Sequence, residues 1–522
     1  MLLSESLGPV APDTEELVAD LLARDAVGRL HRRDHTLWRD DPAEIADRLG
    51  WLDCHSTMPD EVPDLLAFAD ACGEDGLERV VVLGMGGSSL FPEVLDRTFG
   101  SRPDRLDLEV LDTTHPASVA RIEGEWPLAR TLFLGASKSG STIETRSHLE
   151  RFWADQPDPG CFAVTTDPGS ALATLADERK FRRAFLNPPD IGGRYSALSL
   201  FGLVPAALGG ISPDGLLEGA SGVFPALADA SDANPGLRLG AAMAASARGG
   251  RDKLTILLDH RIATFGLWLE QLVAESTGKE GVGLLPVVGE PLGRPDVYGA
   301  DRLFVVVGEL TESEEAAVSA LVDAGHPVVR IPFGEAGADL VSDLGAQVLL
   351  WEAATALCGA GLGINPFDQP DVAAAKAATQ AVLDSGTLPE VAEQPLSAVL
   401  EQVGVDDYVA IHAYIDPGSG VVDALEAARV ALRDRLRVAT TVGLGPRFLH
   451  STGQFHKGGP PSGVFIQVVD VDPDDDVDIP GAPFSFGTLI QAQAAGDLQT
   501  LRDRGLRAAR VALADIEEIG ET

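Results

Sequence analysis

Between residues 79 and 332, short apolar runs alternate with stretches in which apolar positions return every three or four residues. The runs, bounded by turn formers, read as strands buried on both faces, and the intervening stretches as helices. Strands are predicted at 79–83, 107–111, 131–135 and 162–165, and again at 254–258, 284–288, 303–307 and 328–332. This alternation implies doubly wound parallel sheets, which bind ligands beyond the carboxyl ends of their strands. Two such domains are expected, at 76–215 and 235–384. A helical segment, 1–75, precedes them, with helices at 15–30 and 43–52. A composition shift over 385–400 reads as a linker. Beyond it, 400–522 carries apolar segments at 408–414 and 464–469 and helices near 421–437 and 486–495. The fold class is α/β: two doubly wound domains, a helical amino-terminal segment and an additional carboxy-terminal α/β region.

Polar loops fall at the ligand-binding edge of this scheme. Ser137-Lys138-Ser139-Gly140-Ser141-Thr142 lies between a strand and a helix opened by Ile143-Glu144-Thr145. Free backbone N–H groups and the positive end of a helix dipole face such a loop, so it suits a phosphate. A capping cluster with a solvated lysine is the structural alternative. Gly84-Met85-Gly86-Gly87-Ser88-Ser89 forms a second strand–loop–helix junction, without the G-x-G-x-x-G spacing of a dinucleotide site. Asn187 to Ser196 is a turn rich in proline and glycine that presents Arg194, as surface decoration or as an anion contact. Gln271 and Glu275 share a helix face, a spacing equally common on exposed helices. His450, His456 and Lys457 lie among glycines and hydroxyls in the carboxy-terminal region. They read either as a structural turn or as groups delivered to a cleft.

Composition narrows the partners. A net charge of −40 over 522 residues argues against nucleic acid and anionic membrane surfaces. The same charge repels an anionic substrate, so a site for one must build positive potential locally. Only six lysines occur, and four of them (Lys138, Lys279, Lys376 and Lys457) lie in or beside polar or glycine-containing stretches. The four cysteines show neither a disulfide framework nor metal-ligand spacing. No apolar run spans a bilayer, and the first residues lack a signal-peptide pattern. The acidic run Asp470 to Asp478 lacks the glycine and terminal glutamate of a calcium loop and reads as a solvated turn. The expectation is a cytoplasmic enzyme.

Taken jointly, Gly84–Ser89, Ser137–Thr145, Gly192–Ser196, Glu275–Lys279, Gly289-Glu290-Pro291 and Asn365–Lys376 resemble the glucose-6-phosphate isomerase family, built from two sugar-isomerase (SIS) domains. Residues 400–522 resemble the extra region of the isomerase half of transaldolase–glucose-6-phosphate isomerase fusions, so the chain reads as that half standing alone. The resemblance implies glucose 6-phosphate–fructose 6-phosphate isomerisation through an enediolate. It assigns the phosphate to Gly87, Ser88 and Ser89 of the first loop and Ser137, Lys138, Ser139, Ser141 and Thr142 of the second. Glu275 becomes the base, Arg194 the enediolate partner, Gln271 and Gln369 substrate contacts, and Lys376 a ring-opening group.

One position departs from the family pattern. Where the family carries a ring-opening histidine, the best-matching position here is Asp301. Ring opening is then left to Lys376 alone, to Asp301, or to His450 or His456. A dual phosphoglucose/phosphomannose isomerase and a non-catalytic sugar-phosphate sensor are the alternatives. Proton transfer between adjacent carbons calls for no metal or organic cofactor. The expected partner is a sugar phosphate, and the assembly is left open, a homodimer being one form it can take.

Overall fold

The computed structural model describes residues 3–334, 339–471 and 477–520. Its first sheet is wholly parallel, in the spatial order Asp107–Leu111, Arg79–Gly84, Thr131–Ala136, Phe162–Thr166, Arg183–Leu186. The two central strands, RVVVLG and TLFLGA, are buried at every position, as continuous apolar runs between helical layers should be. The last strand is absent from the sequence reading. Only Phe185 of its four residues is buried, so it carries no apolar run to recognise.

The second sheet runs Ser4–Ser6, Val328–Ile331, Arg302–Val307, Lys253–Leu258, Leu285–Val288. All its pairs are parallel except the first, where three amino-terminal residues add an antiparallel edge. The helical segment expected over 1–75 is therefore partly a strand. Its 15–30 helix divides into Ala11–Ala23 and Ala26–His31 at Asp25, whose φ is 52°. The 43–52 helix is replaced by turns and a short 3-10 segment, Gly50–Asp53. One continuous hydrophobic core joins the amino-terminal helices to both sheets, with the long helix Leu340–Leu362 running through it.

Residues beyond the linker build a third sheet, Ala439–Leu444, Tyr408–Tyr414, Gly463–Val469, Arg507–Arg510, again all parallel. It has its own core. It docks on the second sheet through Leu285 and Val287, which pack with Tyr408, Ala439 and Phe465. Beside that patch the Glu290 carboxylate is clamped between two buried arginines. Arg433 of the third unit approaches to 3.1 Å and Arg302 of the second to 3.5 Å, with the Tyr298 ring facing both guanidinium groups. Most of the acidic run, residues 472–476, lies outside the described residues.

The clamp generates a prediction. Breaking a buried ion pair costs about 3–5 kcal/mol, and Glu290 retains Arg302, so Arg433→Met should lose about 3 kcal/mol. Urea unfolding measures it, and an unchanged midpoint would show that the clamp does not hold the unit.

Candidate active site

Two loops of the first sheet and one turn close on each other at the carboxyl ends of the strands. A Cβ on Gly87 would lie 2.0 Å from the Gly193 carbonyl oxygen, so only glycine lets the Gly86–Ser88 loop meet the turn carrying Arg194. Beneath them opens a cavity of about 390 Å³. Ser88, Ser137, Lys138, Ser139 and Thr142 line it, facing Arg194, Gln271 and Glu275. Gly87, Gln369, Lys376 and His450 also line it.

The acidic wall is built by the helix Phe265–Thr277, which presents Gln271 and Glu275 one turn apart, both buried. Glu275 Oε1 lies 3.4 Å from Arg194 Nη1, and its Oε2 accepts a 3.0 Å bond from Gln271 Nε2. Arg194 comes from the first sheet's domain, yet every side-chain bond it makes is to the second half. It donates to Ser276 Oγ at 2.8 Å, Pro366 O at 2.7 Å, Asp368 O at 2.9 Å and Gln369 Oε1 at 3.4 Å. Gln271 Oε1 is buried without a hydrogen-bond partner beside this cavity, an acceptor available to a substrate hydroxyl.

Across the cavity the hydroxyl loop is internally cross-braced. Ser137 Oγ lies 2.9 Å from Thr142 Oγ1 and accepts the Gly140 N–H at 3.1 Å, and Ser139 Oγ lies 2.9 Å from Ser141 Oγ. The Lys138 ammonium is held by Asp167 Oδ2 at 2.5 Å and the Pro189 carbonyl at 2.8 Å. Glu44 and Arg48 also reach the cavity, from the turns where a helix was expected, and so went unnoticed in the sequence.

A smaller cavity of about 200 Å³ adjoins the first and shares Ser139, Thr142, Lys376 and His450 with it. Between them sits Glu144, fully buried on the helix that follows the hydroxyl loop. Its Oε1 lies 3.0 Å from His450 Nε2 and accepts a 2.7 Å bond from Gln493 Nε2. Burial opposes its charge, but the attraction and hydrogen bond of His450, aided by Lys376, hold its carboxyl below the usual range. This contact fixes the orientation of the His450 ring at the junction of the two cavities. The sequence signal for Glu144 was present, a charge at the mouth of the phosphate-type loop, but its partners lie more than 300 residues away.

Four expected site residues lie outside the main cavity. Asp301 sits at the amino end of its strand, away from the cleft, 3.3 Å from Lys253 Nζ. His456 is buried in the third unit with its Nδ1 2.9 Å from Tyr408 Oη. Ser89 turns inward to Asp112 and the Gly86 carbonyl. Ser141 lines only the smaller cavity. Among the described residues there is no cluster of histidine, cysteine and carboxylate groups that could hold a metal, the four cysteines are buried and unpaired, and no helix is long and apolar enough to cross a membrane.

Fold and cleft together define a paired-sheet α/β protein whose hydroxyl loop faces a buried acid–arginine pair. The profile of the phosphoglucose isomerase family matches residues 69–284. The glucose-6-phosphate isomerase of Rubrobacter xylanophilus is 31% identical over 376 residues, covering 60% of this chain and 85% of that protein. A Thermus thermophilus enzyme of the same name is 28% identical over 393 residues, 65% of this chain and 90% of that one. Among solved structures, a hypothetical protein from Thermus thermophilus superposes with a TM-score of 0.59 at 25% identity. It covers 73% of this chain and is itself covered completely. A Chlamydia trachomatis glucose-6-phosphate isomerase, 18% identical, shares the fold with a TM-score of 0.60 over 72% of this chain and 87% of its own. The chain belongs to the phosphoglucose isomerase family.

Beside the pair, Lys279 is buried with its ammonium 2.7 Å from Asp368 Oδ1. Burial and the neighbouring Arg194 charge push it down to about 8 from 10.5, against the pull of Asp368. Between those two values the unfolded chain binds a proton that the folded one lacks, so this group adds stability as pH rises through that window. Subtracting the pH–stability curve of Lys279→Met from that of the wild type should expose the rise. A flat difference between pH 8 and 10.5 would refute the shifted lysine.

Proposed function

We propose that the protein interconverts glucose 6-phosphate and fructose 6-phosphate through an enediolate. The observation that carries this is the buried pair of Glu275 and Arg194, 3.4 Å apart, facing a hydroxyl-rich helix-start loop across one cavity. Aldose–ketose exchange is redox-neutral: one proton leaves the carbon beside the carbonyl and returns at its neighbour, while the hydroxyl proton moves between the oxygens. Glu275, hydrogen-bonded by Gln271, is the group that carries the carbon-bound proton. Arg194 stays cationic throughout and faces the developing enediolate oxygen.

Ser88, Ser137, Ser139 and Thr142, with the backbone at the start of the helix Ile143–Asp155, bind the phosphate and align the sugar. Lys138, fixed by Asp167, contributes charge behind the loop. Lys376 and His450 stand at the junction of the two cavities, placed to move protons on the ring oxygen and the anomeric hydroxyl. Glu144 orients His450 for that step. A sensor that only captures phosphate has no use for the acid–arginine pair, which argues for turnover. The expected setting is the cytoplasm, with a sugar phosphate as partner.

A coupled assay with fructose 6-phosphate tests the activity directly. A positioned base contributes about 10²–10⁴ in rate, so Glu275→Gln should lose at least about a hundredfold in kcat with little change in KM. More than about a tenth of wild-type kcat would remove Glu275 from the role, since that loss falls short of any general base.

His450→Ala separates ring opening from proton transfer. It should slow turnover of cyclic substrate while sparing proton exchange on an open-chain analogue. Equal slowing of both would place His450 elsewhere in the reaction.

A further inference from the structure

The short helix Gly453–Gly458 of the third unit is wedged between the two helices that carry Glu275 and Lys376. Gln454 is its fully buried contact. The Gln454 Nε2 donates at 3.0 Å to the carbonyl of Gly278, the residue that ends the helix Phe265–Thr277. The same nitrogen donates at 2.6 Å to Oδ2 of Asp371, the residue that starts the helix Val372–Ser385. Its Oε1 accepts the Asp371 backbone N–H at 3.0 Å. One side-chain amide therefore bonds the C-cap residue of the base-carrying helix to the N-cap residue of the lysine-carrying helix.

The surrounding contacts make this bridge stiff. A Cβ on Gly278 would fall 2.4 Å from Phe455 Cα, so the helix end and the wedge touch backbone to backbone. The Gly281 N–H donates to Gly458 O at 2.9 Å. Arg504 donates to the Lys457 carbonyl at 2.7 Å and lies 2.7 Å from Asp371 Oδ1. At the other end of the wedge, Lys457 lies 2.7 Å from Asp497, both buried in the core of the third unit. His450 lies three residues before this helix, in the same cavity as Glu275 and Lys376.

We infer that Gln454 is a positioning residue: it sets the spacing of Glu275 from Lys376 and ties that spacing to the arrival of His450. It touches no substrate and acts through the two helix ends. Bonds at a helix start and a helix end are well placed to do this, because a shift at either terminus moves the whole rigid helix. This inference rests on the roles proposed above for Glu275 and Lys376.

The test uses the full chain and the variant Gln454→Met, which keeps length and bulk but loses all three bonds. A displacement on the scale of 1 Å costs up to about a hundredfold, so kcat with fructose 6-phosphate should fall by about ten- to a hundredfold. Competitive inhibition by inorganic phosphate should stay within about twofold, well short of the roughly tenfold per lost charge-assisted bond. Because Gln454 acts in part on the placement of Lys376, its loss should combine with that of Lys376→Ala less than multiplicatively, the remaining loss being the part that acts through Glu275. Wild-type kcat in Gln454→Met, or a lowered melting temperature as its sole change, overturns the inference, as do fully multiplicative losses. If Lys376→Ala itself keeps wild-type turnover, the ring-opening role of Lys376 falls, and the kcat of Gln454→Met still decides the positioning role through Glu275.

Discussion

Everything at the cleft depends on where one buried guanidinium finds its partners. Arg194 is a permanent cation removed from water, and such a group must be surrounded by acceptors or it destabilises the fold. Its acceptors come from two separate places: Ser276 and Glu275 on one helix, and the carbonyls of Pro366 and Asp368 with Gln369 on a later loop. The turn that carries it belongs to the first sheet's domain and the acceptors to the second. Satisfying this single ion closes the two halves around a shared cavity. It also leaves Nη1 of the guanidinium 3.4 Å from the Glu275 carboxylate.

Much of this was legible because the site is assembled from strand-to-helix junctions, where a few local residues decide the geometry. The hydroxyl loop, the glycine loop, Arg194 and the Gln271–Glu275 face all reach one cavity. What escaped notice is non-local or patternless. Glu144 and Gln454 do their bonding with residues far away in the chain, and nothing in their neighbourhood announces a buried partner. Arg48 lies in turns whose composition looked helical. Asp301 illustrates the opposite error. Matching along the chain placed it near a histidine position, but the strand it opens points its carboxyl end, not its amino end, at the cleft. Ser4–Ser6 and Arg183–Leu186 are strands by pairing alone, since edge positions need no apolar run.

The third unit has its own hydrophobic core, yet Phe486 and Leu489 of its helix Phe486–Asp503 also pack into the main core, and non-directional apolar contact by itself specifies orientation weakly. Directional contacts add that specification. Arg433 reaches Glu290, Arg447 reaches Glu93 and Asp112, and Arg504 reaches Asp371, three arginines from one unit onto acids of the other two. The Arg433 and Arg447 pairs, whose acids are buried, offset their desolvation only in one geometry, which makes them better at specifying an orientation than at adding stability. A histidine delivered from such a unit arrives at a fixed point. In a chain of such negative charge, arginines spent on these contacts and on the cleft lie where they determine geometry.

The antiparallel edge formed by Ser4–Ser6 has a consequence for how the protein is made. Its partner strand, Val328–Ile331, lies more than 300 residues later in the chain. During synthesis at about 5–20 residues per second, the amino-terminal segment waits roughly 15 to 60 s for that strand to leave the ribosome. The first sheet can close in the interval, since its strands all lie within residues 79–186. The cleft cannot, because His450, Gln454 and Gln493 emerge later still. A nascent chain therefore carries a finished phosphate-type loop well before it owns a finished active site.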